Sequence, residues 1–254
     1  MKEIQANIET YDRYYAKPHW WFRWRYDTQV KRKTCLHLVK SLGRDWSGKT
    51  IFELGFGSGE VLFSFPTSCR LAGAELSPSA TEHASDHAKR KKYADYDFFT
   101  IDGGRPLPLP DQAVDIVVAS HVLEHVDDDV FWVREFYRIL KAGGCLVVLV
   151  PVNERYPDPH HLRTYTLQSC MELCTGDGFR LMLGLENETL YHLVEWLYRR
   201  HRDGTWTVGG NIIRILFNLS AAPLPFSFYK FMDFVMMKLF RVPPRQAAIL
   251  FIKE

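Results

Sequence analysis

Short apolar runs alternate with amphipathic segments from about residue 28 to residue 185. Each run has the length and composition of a buried strand, and the segments between them have helical spacing. Strands are predicted at 50–54, 70–76, 96–101, 114–119, 145–151 and 179–185, with a last strand at 246–252. Because strand–helix alternation implies right-handed crossovers, the pattern predicts an α/β fold, a doubly wound (Rossmann-like) sheet of seven mostly parallel strands.

Helix boundaries follow from caps and breakers between these runs. Ser77 and Pro78 are typical of a helix start, and the basic cluster 89–92 suits a helix C-terminus. A helix is expected to begin near Gly59 and to end close to Pro66, since proline breaks a helix interior. Further helices are predicted at 28–42, from Asp127 to Gly143, and at 166–174.

The alternation breaks after residue 185. Residues 186–243 are aromatic and largely helical in pattern, with an apolar stripe formed by Leu190, Leu193, Val194, Leu197 and Tyr198. The stretch 226–240 is apolar except at Ser227, Lys230, Asp233 and Lys238, and the last three fall on one arc of a helix. Such a helix is buried or lies against an apolar partner. We therefore predict an N-terminal aromatic lid segment (1–27), a core domain (28–185 plus 244–254) and a helical insertion (186–243).

Composition narrows the class of protein. The chain has 254 residues, 46% of them hydrophobic, a net charge of +2 and five cysteines. The odd cysteine count does not resemble a disulfide framework, and no basic face suggests a nucleic-acid partner. The N-terminus lacks the apolar core of a signal peptide, and no run reaches about 18 uncharged apolar residues. A cytoplasmic protein is expected; the insertion leaves open a peripheral contact with the inner membrane face or a homodimer.

Candidate chemistry begins at "FELGFGSGE", residues 52–60, where Gly55, Gly57 and Gly59 follow the first strand. Ligands of open parallel sheets bind beyond the carboxyl ends of the strands, and glycines let the backbone approach them. The spacing is G-x-G-x-G and not the dinucleotide pattern G-x-G-x-x-G. The next two strands end in acids: Glu75 can accept hydrogen bonds from ribose hydroxyls, and Asp102 can accept from an exocyclic amine.

Four stretches in order resemble a known family: "IFELGFGSGEVL", "LAGAELSP", "DGGRPLPLPDQAVDIVVASHVLEHVDD" and "RILKAGGCLVVLVP". They are similar to class I S-adenosylmethionine-dependent methyltransferases of the type 11 group, and "HWWFRWR" resembles the N-terminal segment of many bacterial members. The resemblance implies S-adenosyl-L-methionine as cofactor and S-adenosyl-L-homocysteine as product. It implies a cofactor site made of Glu53, Gly55, Phe56, Gly57, Gly59, Glu75, Leu76, Asp102, Gly103, Ser120 and His121.

Two histidines are candidates for a general base if the acceptor is a hydroxyl. His125 follows the fourth strand, and His161 follows the fifth. "HVLEH" (121–125) also matches an inverted zinc-protease signature, but it straddles a strand end where that chemistry needs a helix, so no metal site is predicted. Trp20, Trp21, Phe22 and Trp24 can cover a sulfonium by cation–π attraction, or simply pack on the domain.

The sequence therefore predicts a methyltransferase that acts on a hydroxyl of a sugar, glycan or lipid-linked intermediate. A small-molecule O- or N-methyltransferase of natural-product or quinone type stays open. Two rivals come from other classes: a nicotinamide-dependent oxidoreductase, against which the glycine spacing counts, and a non-catalytic cofactor-binding scaffold. The intact glycine loop with Glu75 and Asp102 in register argues against a scaffold.

Overall fold

The computed structural model describes residues 2–16, 24–102, 106–154, 158, 160–192 and 208–254. Its strands are β1 (Thr50–Leu54), β2 (Arg70–Glu75), β3 (Tyr96–Thr100), β4 (Val114–Ser120), β5 (Leu140–Pro151), β6 (Phe179–Asn187) and β7 (Gln246–Lys253). They form one sheet in the order β3-β2-β1-β4-β5-β7-β6. β7 runs antiparallel to both of its neighbours, and the other six strands all run in the same direction. The predicted seven-stranded, mostly parallel, doubly wound sheet is confirmed.

The described helices are α1 (Lys2–Tyr15), α2 (Tyr26–Ser41), α3 (Pro78–Lys91), α4 (Asp129–Ile139), α5 (Leu167–Gly176), α6 (Val208–Ala221) and α7 (Phe226–Leu239). Side-chain caps begin three of them. The Ser77 hydroxyl accepts from the Ala80 N–H, Asp128 accepts from the Phe131 N–H, and Thr166 accepts from the Ser169 N–H. These caps satisfy amide groups that a helix start leaves without partners, so short polar residues mark the helix boundaries in the sequence.

Three local predictions were wrong. The helix expected from Gly59 toward Pro66 is only a short 3-10 helix, Leu62–Ser64. The glycine loop before it and the proline after it leave too few residues for a longer helix. β5 begins at Leu140 and runs through the glycines that were expected to stop a helix there. α2 begins at Tyr26 and β6 ends at Asn187, so the predicted boundaries at 28 and 185 fall inside elements. The division into three domains otherwise stays a prediction.

The sheet is buried on both faces, as a parallel sheet requires. One face packs against α4 and α5, with Trp132 and Phe136 as its largest side chains. The other face packs against α2 and α3, where Leu38 and three alanines of α3 are buried. All five cysteines are buried and free. This core leaves the loops at the carboxyl ends of the parallel strands as the accessible edge.

The insertion packs on α2 through its own small cluster, in which Tyr26 and Val30 meet Ala221 and Tyr229. Asp233 does not share the exposed side of α7 with Lys230 and Lys238, as the helical arc had suggested. It is buried, and its carboxylate accepts from the Thr189 N–H at 2.9 Å and from the Thr189 hydroxyl at 2.7 Å. The stripe residues Leu193, Val194, Leu197 and Tyr198 lie outside the described residues.

No helix in the described part of the chain is both long enough and apolar enough to span a bilayer.

Candidate functional site

The carboxyl ends of β1, β2 and β4 meet at one edge of the sheet. Leu54 pairs with Ala74 on one side and with Ala119 on the other. The glycine loop, Glu75 and the loop after Ser120 therefore lie next to one another, as the sequence predicted from strand order. This edge is where ligands of open α/β sheets bind.

The glycine loop after β1 is held in a conformation that side chains disfavour. Gly55, Gly57 and Gly59 have φ values of 65°, 52° and 75°. A Cβ on Gly55 would lie 2.7 Å from the Val122 Cγ2, and a Cβ on Gly57 would collide with the Tyr15 hydroxyl. Glycine is therefore required at these positions for two reasons: the positive φ values disfavour side chains, and neighbouring side chains lie too close for a Cβ atom.

Glu75 is the anchor of this loop. It is buried, and its carboxylate accepts from the Gly57 N–H at 2.8 Å and from the Leu76 N–H at 2.7 Å. Burial raises the pKa of Glu75, and these backbone donors oppose the rise because they stabilise the charged form. A carboxylate has about four lone-pair sites, so Glu75 keeps capacity for ligand hydroxyls.

Glu53 lies at the end of β1, beneath the loop. It is buried, and its Oε2 atom has no hydrogen-bond partner among the described residues. Burial raises the pKa of Glu53 well above its usual range. An acid in this state is suited to a cationic ligand, because a buried polar atom without a partner is costly.

Other predicted site residues take different positions. The Phe56 side chain packs in the core against Gly73, so only its backbone belongs to the loop. Asp102 is exposed just beyond β3, next to the Ile101 N–H that bonds the Glu75 carbonyl at 2.9 Å. Ser120 ends β4 and is half-buried. Gly103, and the lid candidates Trp20, Trp21 and Phe22, lie outside the described residues, whereas Trp24 is exposed.

His121 is turned into a buried polar network. Its Nε2 atom lies 3.0 Å from the Gln246 Oε1 atom, and the Gln246 amide in turn donates to Asn187 at 2.8 Å. Burial lowers the pKa of His121 well below its usual value, so this imidazole stays neutral near pH 7. Its backbone has a φ of 53°, which redirects the chain as it leaves β4. His121 therefore links β4 to β7 and is not grouped with His125.

Glu124, His125 and His161 come together at this edge, and we call them the Glu-His-His cluster. Their candidate ligand atoms all lie within 4.8 Å of one another. The loops that carry them are joined by a hydrogen bond from the Leu162 N–H to the Glu124 carbonyl at 2.8 Å. Both predicted base candidates are thus brought together, although their positions in the sequence are far apart. The segment 121–125 forms a turn and not the regular helix that a zinc-protease site requires.

From the family resemblance, the sequence places Glu124 beside His125 at the border of an acceptor pocket, but it assigns Glu124 no catalytic or ligand role. Its side chain is 0% exposed, and neither carboxylate oxygen has a hydrogen-bond partner among the described residues. Burial raises the pKa of Glu124 to about 8, and the Lys31 ammonium opposes the rise. Burial also lowers the pKa of His125, so its imidazole is largely neutral near pH 7. The signal available in the sequence was the H-x-x-E-H match, whose acid is part of the cluster although its first histidine is not.

Sequence reasoning missed α1, which covers the site. Asp12 accepts from the Ser77 hydroxyl and from the Ser79 N–H, both at 2.8 Å, so α1 is docked at the start of α3. Tyr15 covers Gly57. Burial raises the pKa of Tyr11, and the nearby acids Asp158, Glu75 and Glu124 raise it further. This phenol therefore faces acids from the carboxyl ends of β2, β4 and β5. The 4-8-11-15 spacing of apolar and aromatic residues was the signal that predicts this helix.

Comparisons with known proteins agree with this arrangement. Residues 52–148 match the family model described as "Methyltransferase domain". The chain is 27% identical over 187 residues to a probable S-adenosylmethionine-dependent methyltransferase of Mycolicibacterium smegmatis, covering 65% of this chain and 62% of that protein. It is 26% identical to a demethylmenaquinone methyltransferase of Protochlamydia amoebophila, covering 54% and 60%. The chain thus spans less than two thirds of the length of these relatives.

Solved structures share the fold at low sequence identity. One is the [4+2]-cyclase SpnF, with a TM-score of 0.60, 21% identity, and coverage of 88% of this chain and 80% of that one. Another is phosphoethanolamine N-methyltransferase 2 of Haemonchus contortus in complex with S-adenosyl-L-methionine, with a TM-score of 0.58, 15% identity, and coverage of 86% and 51%. Structural similarity at such low sequence identity supports the fold alone. The first of these proteins is named for a cyclisation and not for methyl transfer, so the fold does not fix the reaction.

Proposed function

Given that the chain belongs to the class I S-adenosylmethionine-dependent methyltransferases, we propose that it transfers a methyl group to a hydroxyl of a sugar, glycan or lipid-linked intermediate. The observation that carries methyl transfer is the glycine loop closed onto the Glu75 carboxylate beside the Glu-His-His cluster. The hydroxyl acceptor and its lipid link are our inference from the cluster and from the exposed apolar side of the insertion.

The residues present fit the cofactor. Gly55 and Gly57 place backbone without side chains at the end of β1, which permits the close approach that a nucleoside ligand needs. Glu75 would bind the ribose hydroxyls with the lone pairs that its two backbone donors leave free. Glu53, whose Oε2 has no partner among the described residues, would pair with the ammonium of the methionine part.

When bound, S-adenosyl-L-methionine supplies a methyl group on a positively charged sulfur, which departs as neutral S-adenosyl-L-homocysteine when an acceptor atom takes the methyl. The chain's own task is to position the acceptor, exclude water and remove the hydroxyl proton. Tyr11 and Tyr15 on α1 close the site from above. His125 and His161 remain the candidates for the base, since each presents an Nε2 atom that forms no hydrogen bond with a described residue.

Helices α6 and α7 support the lipid-linked choice. On α7, Phe231 and Phe234 are each 61% exposed and Leu239 is 72% exposed. On α6 the exposed apolar residues repeat with helical spacing at Ile212, Ile215, Leu216 and Leu219. We call this surface the apolar hairpin face. Large apolar side chains that are exposed at this density on two successive helices indicate an interaction site.

Charge selects the partner of the apolar hairpin face. The exposed charged residues of 226–241 are Lys230, Lys238 and Arg241, whereas the single acid, Asp233, is buried against Thr189. Aromatic and aliphatic side chains flanked by basic residues match a bilayer surface that carries anionic lipids. We propose that the face docks there and brings the site to a lipid-linked acceptor.

Two measurements test the function and the docking separately. Protein with methyl-labelled S-adenosylmethionine is incubated with membrane lipid extract, free sugars and quinone precursors, and label transfer is followed. Label in a lipid-linked product supports the proposal, whereas label only in a soluble small molecule favours the small-molecule alternative that the quinone relative suggests. Cofactor binding without any transfer would favour a scaffold or a different reaction, as in the cyclase with this fold.

Docking is tested by flotation with vesicles that contain anionic phosphatidylglycerol. We expect the wild type to float with these vesicles and the Phe231→Asp/Phe234→Asp variant to lose at least about tenfold in partitioning. Met182→Asp, which adds a charge to an exposed apolar position on β6, is the matched control and should float normally. A wild type that never floats, or that forms a dimer which the double variant disrupts, contradicts membrane docking; the dimer would make this face an interface between copies.

A further inference from the structure

The Glu-His-His cluster has the donor set of a metal centre. It combines one carboxylate and two imidazoles from the loops after β4 and β5, and its candidate ligand atoms lie within 4.8 Å of one another. The imidazole rings of His125 and His161 are nearly perpendicular, with centroids 4.8 Å apart. Two histidines and one carboxylate that converge from separate loops are a common arrangement for divalent transition metals.

The outer hydrogen bonds of both histidines fix which nitrogen is free. His125 Nδ1 lies 3.1 Å from the His160 carbonyl oxygen, and His161 Nδ1 lies 2.8 Å from the Glu154 Oε2 atom. Both partners are acceptors, so each Nδ1 carries the proton and donates. Each Nε2 atom then presents a lone pair. Metal-binding histidines are held in this way, with the second ring nitrogen bound to a carbonyl or a carboxylate.

Glu124 supplies an independent observation that points to a ligand. Its side chain is fully buried, yet neither oxygen has a hydrogen-bond partner among the described residues. Its Oε1 atom lies 3.5 Å from His121 Nδ1, but His121 Nε2 bonds the Gln246 Oε1 atom and so carries the proton of this neutral imidazole, which leaves Nδ1 without a proton to donate. Burying a carboxylate without a partner is costly, and a bound cation would offset that cost.

From this geometry we propose that Glu124, His125 and His161 bind a divalent transition-metal ion, with Glu154 as the carboxylate that orients His161. Mixed nitrogen and oxygen donors suit Mn²⁺, Fe²⁺, Co²⁺ or Zn²⁺ better than Ca²⁺, which prefers oxygen ligands alone. Three protein ligands leave coordination positions open for another molecule. The short stretch 121–125 does not itself form the site, because His121 is directed elsewhere and His161 takes its place.

The proposed role of the ion rests on the proposed function. A hydroxyl oxygen of the acceptor would occupy an open position, and its proton would pass to water because a bound cation lowers the pKa of the hydroxyl. The resulting oxygen anion would then form the bond to the methyl carbon while the bond from that carbon to the sulfur breaks, and S-adenosyl-L-homocysteine would leave as the neutral product. With the ion in place, His125 and His161 are ligands and not bases, which distinguishes this role from direct proton abstraction.

The test is binding of Co²⁺, followed by its visible absorption, to protein stripped with a chelator. We expect the wild type to bind one ion, and Glu124→Gln and His161→Ala to weaken binding at least about 100-fold, since each removes one of three ligands. Glu154→Gln should weaken it by about 10-fold through loss of orientation. His160→Ala is the matched control: it removes a neighbouring imidazole but keeps the backbone carbonyl that bonds His125, and its affinity should stay within about twofold.

Affinity for S-adenosylhomocysteine, measured on each variant, shows whether it has folded. A variant that keeps this affinity but loses Co²⁺ supports the site. A wild type that takes up no Co²⁺, or a Glu124→Gln variant that binds Co²⁺ as well as the wild type does, overturns it. No acceptor is present in this experiment, so a failure of the proposed methyl transfer would leave its result unchanged.

Discussion

Glu75 and Glu124 are buried carboxylates at the same edge of the sheet, but the chain treats them in opposite ways. Glu75 accepts two backbone N–H groups from its own and the neighbouring loop. The carboxylate oxygens of Glu124 have no hydrogen-bond partner among the described residues. The hydrogen bonds of Glu75 are therefore in place before any ligand binds, whereas the buried carboxyl group of Glu124 still lacks a partner among the described residues.

The difference indicates separate roles for the glycine loop with Glu75 and for the Glu-His-His cluster, which we call the two halves of the site. Backbone donors hold the glycine loop rigidly, which lowers the entropy cost of binding a cofactor there. The Glu-His-His cluster instead keeps two imidazole lone pairs and a carboxylate free, so its chemistry depends on what binds. A preformed cofactor site beside a substrate site with unpaired polar atoms is the arrangement expected when the cofactor stays the same and the acceptor supplies the remaining contacts.

The largest effect on cofactor affinity should come from replacing the carboxylate of Glu75. Glu75→Gln replaces one acceptor oxygen by an amide NH2 group, which donates but cannot accept, and we expect it to weaken S-adenosylhomocysteine binding by about 100-fold, or about 2.7 kcal/mol. Glu124→Gln is the matched change and should leave that affinity within about twofold. Calorimetric titration gives both numbers. Equal losses in the two variants would mean that the halves are not separate.

A smaller effect should distinguish close approach from backbone conformation. Gly57 and Gly143 both have positive φ, 52° and 73°, but only a Cβ on Gly57 meets another group, the Tyr15 side chain of α1. We expect Gly143→Ala to lower the free energy of unfolding by about 1 kcal/mol and Gly57→Ala by about 2 kcal/mol. Urea denaturation measures this difference.

The same pair of variants also reports on α1. Limited proteolysis should cut within 2–16 faster in Gly57→Ala than in Gly143→Ala, because an added methyl group pushes Tyr15 away from the loop. Identical proteolysis in both variants would mean that α1 does not depend on its contact with the loop.

The smallest effect concerns a third buried carboxylate, Glu188, in the chain that enters the insertion. Burial raises its pKa from 4.5 to about 7, Lys31 and Arg245 oppose the rise, and Asp27 and Asp233 add to it. Between pH 4.5 and about pH 7, the Glu188 carboxyl group is deprotonated in the unfolded chain but still protonated in the folded protein. The free energy of unfolding must therefore fall as the pH rises from about 4.5 to about 7, and this contribution levels off above that.

Glu188→Gln should remove this part of the pH dependence. We expect wild type and variant to differ by about 1 kcal/mol more at pH 8 than at pH 4.5, measured by urea denaturation, because relaxation and water reduce the cost of a buried charge. Parallel curves across the window would show that Glu188 is not the group responsible. Glu53 and Glu75 contribute with the same sign in both proteins and cancel in the difference.

Much of the fold and half of the site could be predicted from residue patterns. The strands were found because a parallel sheet covered on both faces needs uninterrupted apolar runs, and β1 was predicted with its observed bounds. Gly55, Gly57 and Glu75 were found because strand order alone brings successive strand ends to one edge. Local errors arose where tertiary contacts decide the outcome. Asp233 is buried because Thr189 donates two hydrogen bonds to its carboxylate, which helical spacing cannot reveal.

The sequence by itself determined the layered sheet, the glycine loop and the acid of the next strand, since each depends on spacing within a few residues. Only the tertiary structure decided that α1 covers the glycine loop and that the His121 side chain bonds Gln246. It also decided that His161 lies beside Glu124 and His125. The physical reason is that these contacts join loops far apart in the chain. Their side-chain directions are set by packing and by hydrogen bonds that no local pattern encodes.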